Sequence, residues 1–385
     1  MLPFEFHNPT RIVFGEGRIA RLDDLVPEQA KVLILTGGES AEKHGTLAEV
    51  RAALGSRTHE TFRGIEPNPA YETLMEAVKI VRRDGFDFLL AVGGGSVLDG
   101  SKFVAAAACW PGDPWQILVT QGKDVKEALP VGTVLTLPAT GSEMNNTGVI
   151  TRRSEQAKLF FASPATYPLF SILDPAKTLT LPERQVANGI VDIFVHVTEQ
   201  YLTVPAGGHV QDRFAEGLLA TLMELGPRVL AEPRDLEVRA SILWASTLAL
   251  NGLIGAGVPQ DWTTHMLGHE ITALHGIDHA RTLALVLPAL LEVRFPVKRA
   301  KLAQMAERVL GIHEGTQESR ARAAIFRIRT FFEAMGCPTR MSAYGLDGTA
   351  VAPLVAHLQA HGRTALGEDK GVTLDLSRTI LEAAL

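Results

Sequence analysis

The stretch LLAVGGGSVLDGSK (89–102) constrains the fold of this chain more than any other. An apolar run ends there in three consecutive glycines, and a segment of helical spacing follows. Glycine lets the backbone approach a phosphate closely, a helix start offers free N–H groups, and Ser96 suits the N-cap. The turn indicates either a cradle for a dinucleotide pyrophosphate or a tight turn without a ligand, because Leu98 stands where a complete GxGxxG motif has its third glycine.

Strands and helices alternate through the first half of the chain. Apolar, β-branched runs predict the strands, and apolar residues at helical spacing predict the helices between them. The predicted strands are 31–38, 86–92 and the first part of 131–143, and the predicted helices are 40–54, 72–85 and 97–109. This alternation indicates a parallel sheet with helices on both of its faces.

Strand-like runs become scarce after about residue 179. Segments with helical apolar spacing follow, separated by Gly and Pro, at 183–203, 211–231, 234–253, 260–274, 281–293, 298–310 and 316–335. We therefore predict an α/β plus all-α chain, with an α/β domain over 1–178 and an all-helical domain over 179–385. No internal repeat of fixed period is visible.

The composition argues against several classes of protein. The net charge is −6, the pI is about 6.1, and Lys and Arg form no stripe, so neither nucleic acid nor an anionic membrane is an expected partner. Cys109 and Cys337 lack metal-ligand spacing and form no disulfide framework. No apolar stretch reaches membrane-spanning length and the start lacks a signal-peptide pattern, so we expect a soluble, cytoplasmic protein.

The end of the first predicted strand bears on the choice of dinucleotide. In dinucleotide-binding folds an acidic side chain there binds the ribose 2′-hydroxyl of NAD, whereas small or basic residues leave room for the 2′-phosphate of NADP. The stretch TGGES (36–40) offers Gly38 and Ser40, and Lys43 follows, which favours NADP. Glu39 favours NAD unless its side chain points to solvent.

Four of the twelve histidines lie in one stretch, HMLGHEITALHGIDHA (265–280). His265 and His269 are four residues apart, as are His275 and His279, so each pair would share one face of a helix. The stretch contains no HExxH zinc motif, because Ala273 stands where the second histidine would be. A zincin-type peptidase is therefore not expected.

A second polar pair lies in the apolar stretch QVANGIVDIFVHVTEQYL (185–202). Asp192 and His196 are four residues apart among Ile, Val and Phe, so both are predicted to be buried. A buried carboxylate needs a partner, and an Asp–His hydrogen bond alone could supply it. Together with two or more of the later histidines, the pair forms a set typical of a divalent metal site for Fe²⁺ or Zn²⁺.

The sequence resembles the iron-containing, group III, alcohol dehydrogenases over essentially its whole length. Within that family it is similar to the butanol-dehydrogenase-like, NADPH-dependent aldehyde reductases. The stretches that carry the resemblance are FGEG (14–17), EPNP (66–69), GGGSVLDGSK (93–102), LPATGSE (137–143), LDP (173–175), NGIVDIFVHVTEQY (188–201) and GAGVPQDWTTHMLGHEITALHGIDHA (255–280). The resemblance implies a dinucleotide-binding α/β domain, a helical metal-binding domain, an active site in the cleft between them, and a homodimer.

The resemblance also implies the roles of individual residues. The implied ligands of the divalent metal are Asp192, His196, His265 and His279. His269 becomes a proton relay beside the nicotinamide, and His275 a residue that supports the site or ends the helix. The implied NADP-binding residues are Gly38, Ser40, Asn68, Gly94, Gly95, Ser96, Asp99, Thr136, Thr140, Asn145 and Lys158.

Helix boundaries follow from the turn-forming residues around the histidines. Pro259 is a predicted helix start and Gly276 a predicted helix stop. These boundaries put His265 and His269 on one helix and His279 at the start of the next.

The implied reaction is hydride transfer between NADP(H) and small aldehydes or primary alcohols, with the metal as Lewis acid. One alternative is a dehydroquinate-synthase-like or glycerol-phosphate-dehydrogenase-like zinc enzyme, which would place several Lys and Arg beside the metal. The stretch 251–282 contains only Arg281, which argues against it. Another alternative, a non-enzymatic metal-binding helical protein, leaves the GGGS and ATGSE stretches without a role.

Overall fold

The computed structural model describes all 385 residues and divides the chain into two compact units. The first, here called the sheet unit, comprises 7–181 and 234–247. The second, the helical unit, comprises 1–6, 182–233 and 248–385. The predicted boundary between 178 and 179 lies close to the change at 181/182, but the chain also changes unit near its start and around 234–247.

The sheet unit contains a six-stranded, wholly parallel sheet with the strand order β1-β8-β5-β4-β2-β3. Its strands are β1 (Arg11–Phe14), β2 (Val32–Thr36), β3 (His59–Phe62), β4 (Phe88–Gly94), β5 (Val131–Leu137) and β8 (Phe170–Leu173). An antiparallel ribbon of β6 (Thr147–Arg152) and β7 (Ala157–Ala162) stands apart from the sheet. The predicted parallel sheet is confirmed.

Helices cover both faces of the sheet, as the alternation predicted. Along β2, Leu33 and Leu35 pack into one apolar cluster, and Val32 and Ile34 pack into another on the opposite face. The helices of this unit are α1 (Leu22–Leu25), α2 (Ser40–Lys43), α3 (Thr46–Leu54), α4 (Tyr71–Asp84), α5 (Gly95–Cys109), α6 (Trp115–Val119) and most of α9 (Leu236–Ala249). The single helix predicted over 40–54 is wrong, because Gly45 adopts a left-handed conformation (φ 78°) and separates α2 from α3.

The helical unit is built around the buried helix α7. Every residue of α7 from Val186 to Tyr201 is buried. The helices are α7 (Glu183–Tyr201), α8 (His209–Ala231), α10 (Thr263–His275), α11 (His279–Val293), α12 (Phe295–Arg308), α13 (Gln317–Ala334), α14 (Val351–Ala360) and α15 (Leu374–Ala383). A short hairpin of β9 (Ala365–Leu366) and β10 (Val372–Thr373) interrupts the predicted all-helical pattern. None of the helices combines the length and apolarity that crossing a membrane requires.

Candidate metal centre and nucleotide-binding turn

Helix α7 carries the first two predicted metal ligands. Its apolar neighbours bury it on nearly every side, so Asp192 and His196 are only 4% and 5% exposed. Their spacing of four residues puts both side chains on one face, and Oδ1 of Asp192 lies 3.7 Å from Nδ1 of His196. This distance is too long for a hydrogen bond, so the Asp–His bond considered as an alternative partner for the carboxylate is not formed.

A close pair of helices, α10 and α11, carries the remaining histidines. Gly276 adopts a left-handed conformation (φ 68°) and ends α10, as predicted, and His279 is the first residue of α11. At Gly268 a Cβ atom would lie 2.8 Å from Oγ1 of Thr282, so glycine is needed where the two helices approach each other. The predicted start at Pro259 is wrong: α10 begins at Thr263.

Three histidine side chains of the helical unit converge on Oδ1 of Asp192. This oxygen lies 3.7 Å from Nδ1 of His196, 3.8 Å from Nε2 of His265 and 3.9 Å from Nε2 of His279. Oδ1 of Asp192 and Nε2 of His265 are both buried without a hydrogen-bond partner. The ligands of a tetrahedral ion lie about 3.4 Å apart. One carboxylate and three imidazoles, two of their buried atoms unsatisfied, therefore fit a divalent metal ion.

The electrostatics of the cluster favour a cation. Burial alone would raise the pKa of Asp192, but the surrounding imidazoles, His196 foremost, lower it to about 2. Burial alone would lower the pKa of His265, but the carboxylates of Glu199 and Asp192 outweigh burial and raise it to about 9. The carboxylate of Asp192 is therefore ionised at neutral pH, and the two acids together make this buried region attractive to positive charge.

Glu199, which the sequence interpretation missed, holds the ring of His265. Its Oε2 accepts a hydrogen bond from Nδ1 of His265, and its Oε1 accepts one from the backbone N–H of Thr264 at 2.6 Å. In the neutral ring this hydrogen bond keeps the proton on Nδ1, so the lone pair of Nε2 faces Asp192, which is the arrangement that carboxylate partners impose on metal-binding histidines. A signal was present: Glu199 follows Asp192 by seven residues, two helical turns along the same face.

Asp278, also missed by the sequence interpretation, directly precedes His279 and fixes the start of α11. Its Oδ2 accepts hydrogen bonds from Nε of Arg184 and from Nδ2 of Asn188, both at 2.9 Å. These two donors belong to the first turns of α7. The start of α11 is thereby tied to the helix that carries Asp192.

The other two histidines of the 265–280 stretch lie in different surroundings. His269 is buried, 4% exposed, and its ring centroid lies 5.1 Å from that of His279. His275 is the last residue of α10 and is exposed. This placement agrees with the helix-end position that the resemblance implied for His275, whereas His269 lies beside the cluster.

The predicted nucleotide turn lies where the order of the strands reverses. Strand β3 pairs with one edge of β2 and β4 with the other, so the carboxyl ends of β2 and β4 flank a switch point. Open α/β sheets bind their ligands at such points. Gly37 and Gly38 follow β2, and Gly93, Gly94 and Gly95 lie at the end of β4 and the start of α5.

The glycine turn contains no intervening loop. Strand β4 ends at Gly94, the N-cap of α5, and the helix begins at Gly95. The prediction that Ser96 is the N-cap is therefore wrong; its Oγ instead accepts the backbone N–H of Asn68 at 3.3 Å. The first turn of α5 has no side-chain cap and no acidic residue, so its N–H groups suit an anion. A Cβ atom at Gly95 would lie 2.4 Å from Oγ1 of Thr140.

Two of the predicted cofactor residues, Asn68 and Asn145, each accept a hydrogen bond from a buried lysine. Asn68 adopts a left-handed conformation (φ 56°), and its Oδ1 accepts a hydrogen bond from Nζ of Lys158 at 2.9 Å. Oδ1 of Asn145 accepts one from Nζ of Lys102, also at 2.9 Å. Lys102, which the sequence interpretation missed, is fully buried, and burial lowers its pKa to about 8. Thr136, near the end of β5, is partly exposed.

Asp99, one of the residues implied to bind NADP, is buried and hydrogen-bonded within the protein. Its Oδ1 accepts a hydrogen bond from Oγ of Ser142 at 2.6 Å, and its Oδ2 accepts one from the N–H of Val149 at 2.9 Å. Burial raises the pKa of Asp99. Both carboxylate oxygens are thus engaged in holding the segment 142–149.

The residues that bear on NADP lie exposed beyond β2. Gly38, Glu39, Ser40 and Lys43 are all exposed, and Glu39 makes no capping bond to α2. A Cβ atom at Gly38 would meet nothing within 4 Å. There is accordingly open space at the position where the sequence predicted room for a 2′-phosphate.

Comparison with known proteins places these features in a family. The family model described as iron-containing alcohol dehydrogenase matches residues 9–175, and that of the Fe-containing alcohol dehydrogenase family, C-terminal, matches 186–383. The NADPH-dependent aldehyde reductase YqhD of Escherichia coli strain K12 is 58% identical over 383 residues, 99% of each chain.

Two solved structures have the same fold. The crystal structure of E. coli K-12 YqhD, 57% identical, has a TM-score of 0.99 and covers 100% of this chain and 99% of that one. The NADH-dependent butanol dehydrogenase A of Thermotoga maritima, 32% identical, has a TM-score of 0.95 over 100% of this chain and 99% of its own.

Proposed function

Since the chain belongs to the iron-containing alcohol dehydrogenase family, we propose that it is a metal-dependent, NADPH-dependent reductase of small aldehydes, also able to oxidise the corresponding primary alcohols. The observation that carries the proposal is the convergence of three imidazoles on the buried Oδ1 of Asp192. The net reaction consumes one aldehyde, one NADPH and one proton and yields one alcohol and one NADP⁺.

The ligand set that we propose is Asp192, His196, His265 and His279, holding Fe²⁺ or Zn²⁺. An ion bound there supplies a Lewis acid for the carbonyl oxygen of the substrate. Glu199 keeps the proton of His265 on Nδ1, and Asp278 anchors the first turn of α11, so both act by orienting a ligand. Oxygen and nitrogen donors suit either metal.

The nucleotide is proposed to bind at the switch point of the sheet. The N–H groups of Gly95 and Ser96 at the start of α5 hold the pyrophosphate, and NADPH supplies the hydride. Thr140 packs against Gly95 and shapes the turn, while Asn68 and Lys158 form a bonded pair near Ser96. Asp99 supports the nucleotide site indirectly, because its hydrogen bonds hold the segment 142–149.

His269 is proposed to hold the proton that the product alcohol requires. It is buried beside His279 and is not needed to complete a four-ligand shell. A neutral imidazole can pass a proton in either direction, because its two nitrogens act as donor and acceptor. In this proposal His269 and the metal ligands have separable roles.

The preference for NADPH is proposed from the exposed edge beyond β2. Gly38 leaves open space, and Ser40 and Lys43 are exposed beside it. Related proteins differ in this property, since the E. coli relative is named NADPH-dependent and the T. maritima relative NADH-dependent. The choice therefore depends on local residues, and Glu39 can lie in solvent without opposing the 2′-phosphate.

Uncharged substrates are proposed because positive charge is scarce in the stretch that carries His265 and His279. Within 251–282, Arg281 is the only Lys or Arg, and its guanidinium donates to the carbonyl oxygen of Gly336 at 3.1 Å. The enzymes of the same architecture that act on phosphorylated or carboxylated substrates are thus disfavoured. A homodimer is also proposed, and the exposed apolar side chains of Leu2, Phe4 and Phe6 provide surface for one.

The proposed function is tested by measuring NADPH oxidation with a panel of short aldehydes and with carboxylated or phosphorylated aldehydes of similar length. We expect turnover with the uncharged aldehydes, loss of turnover after metal chelation, and recovery when Fe²⁺ or Zn²⁺ is restored. Turnover that survives complete removal of the metal would contradict the proposal. The proposed homodimer is tested separately. Light scattering during size-exclusion chromatography is expected to give twice the chain mass of 41.5 kDa.

A further inference from the structure

A second cluster of a carboxylate and two histidines lies elsewhere in the helical unit. Glu270 is on α10 and its side chain is 3% exposed. His357 is on α14, and His361 directly follows the last residue of that helix. Because the two histidines are four residues apart, both rings reach the same carboxylate from one side of α14.

The distances within this cluster are close to those around a metal ion. Nδ1 of His361 lies 3.0 Å and 3.1 Å from the two oxygens of Glu270, and Nδ1 of His357 lies 3.3 Å from Oε2. One ligand atom from each of the three residues can be chosen so that all lie within 4.8 Å of one another. Since the ligands of a tetrahedral ion lie about 3.4 Å apart, the groups need to move only slightly to surround one.

We propose that Glu270, His357 and His361 form a second divalent-metal site, separate from the Asp192 cluster, for an ion of the Zn²⁺ class. Two imidazoles and one carboxylate match the donors that Zn²⁺ takes, with a fourth position left for water. The side chains of His357 and His361 are 24% and 17% exposed, so an ion can reach them from solvent. The site shares no ligand with the Asp192 cluster, and it does not depend on the proposed function.

Arg363 sets the strength of this second site. Its Nη1 donates to Oε1 of Glu270 at 2.9 Å and to the carbonyl oxygen of Met266 at 3.3 Å. The guanidinium neutralises Glu270 when no ion is bound and repels an arriving cation. The second site therefore binds Zn²⁺ more weakly than the Asp192 cluster, and removal of the guanidinium strengthens it.

Zinc stoichiometry tests the proposal on the full-length protein. The protein is stripped with a chelator, dialysed against buffered Zn²⁺ and assayed for metal per chain by mass spectrometry. We expect two ions in the wild type, one in the His357→Gln/His361→Gln double variant and one in Asp192→Ala. His313→Gln, which alters an exposed histidine outside both clusters, is the control and retains two.

A measurement of zinc affinity distinguishes a metal site from a cluster that only hydrogen-bonds α10 to α14. In Arg363→Gln, competition with a chromophoric chelator is expected to show roughly tenfold tighter binding of Zn²⁺ at the second site, because a nearby positive charge is lost. Circular dichroism checks that each variant is folded. One ion in the wild type that the folded double histidine variant retains, or two ions in that variant, would overturn the proposal.

Discussion

The metal centre is built from side chains, whereas the nucleotide turn is built from backbone. At the centre, charged and polar side chains from α7, α10 and α11 converge on Oδ1 of Asp192, and two of the atoms that face one another have no protein partner. At the turn, Gly95 brings the backbone at the start of α5 against Thr140, and the N–H groups of that helix start suit an anion. Substitutions at the centre should therefore abolish metal binding or turnover. Substitutions at the turn should change the steric fit and weaken nucleotide binding by degrees.

The largest effect is expected from Asp192→Ala. This change removes the oxygen on which the three imidazoles converge and with it the charge that attracts a cation. Turnover of an aldehyde should fall by about 10³-fold or more, because the Lewis acid is lost. Metal analysis and steady-state kinetics measure the effect, and circular dichroism should show the helices intact. A variant that keeps a full complement of metal at this centre would contradict the ligand assignment.

His269→Ala should cost less than Asp192→Ala, about 10²-fold in turnover, the usual scale for the loss of a general acid or base. The metal should stay bound, because four other groups hold it. His275→Ala is the matched control: it alters another histidine of the same helix, but an exposed one, so turnover should stay close to that of the wild type. Loss of metal from His269→Ala would show instead that His269 is a ligand.

Glu199→Gln should weaken metal binding without removing any ligand. The amide has the shape of the carboxylate but not its charge, so Nδ1 of His265 loses its anionic acceptor. A decrease in metal affinity of roughly 10- to 100-fold is expected, as for other partners of metal-binding histidines. Titration with Zn²⁺ against a competing chelator gives the affinity. Unchanged affinity would mean that the orientation of His265 is set by its helix alone.

Gly95→Ala and Gly38→Ala form a matched pair at the nucleotide site. At Gly95 the new methyl group would meet the side chain of Thr140, and overpacking of this kind costs about 1–3 kcal/mol. At Gly38 it would meet nothing within 4 Å, so the free energy of unfolding should change by less than about 0.5 kcal/mol. Denaturant unfolding and the KM for NADPH distinguish the two. Equal unfolding free energies and equal KM values for the two variants would contradict the claim that Gly95 is required for steric reasons.

A change in nucleotide preference, with no loss of turnover, is expected from Gly38→Asp. A carboxylate there would repel the 2′-phosphate of NADPH and could bind the 2′-hydroxyl of NADH. The ratio of kcat/KM for the two nucleotides should move toward NADH by about tenfold, equivalent to about 1.4 kcal/mol. The chemistry itself should be unaffected, so kcat at saturating nucleotide stays the same. An unchanged ratio would place the discrimination elsewhere, for example at Ser40 or Lys43.

The elements that the sequence predicted well are those whose signal is local. The glycine turn, the strands around it and the helix stop at Gly276 follow from backbone requirements that a few residues express. The break at Gly45 and the start of α10 at Thr263 were mispredicted, because a glycine inside a helical pattern and a proline before one each permit more than one outcome. The helices α14 and α15 had no individually predicted counterpart.

At the candidate site, the sequence allowed a prediction for polar residues in an apolar setting, but not for the residues that support them. Asp192 and His196 are conspicuous on a buried helix, whereas Glu199 and Asp278 act through partners distant in sequence, such as Thr264 and Arg184. Asp99 has a contribution of the same kind, because its hydrogen bonds to Ser142 and Val149 hold a neighbouring segment. Only tertiary structure reveals such long-range partners.

The central claim is that one divalent ion is held by Asp192, His196, His265 and His279. Anomalous diffraction from crystals of the metal-loaded protein, measured at the absorption edge of that metal, tests this most directly. We predict a strong peak about 2.0–2.2 Å from Oδ1 of Asp192, from Nε2 of His265 and His279, and from the nitrogen of His196 that faces them. A peak coordinated by His269 in place of one of these histidines, or no peak at Asp192, would contradict the claim.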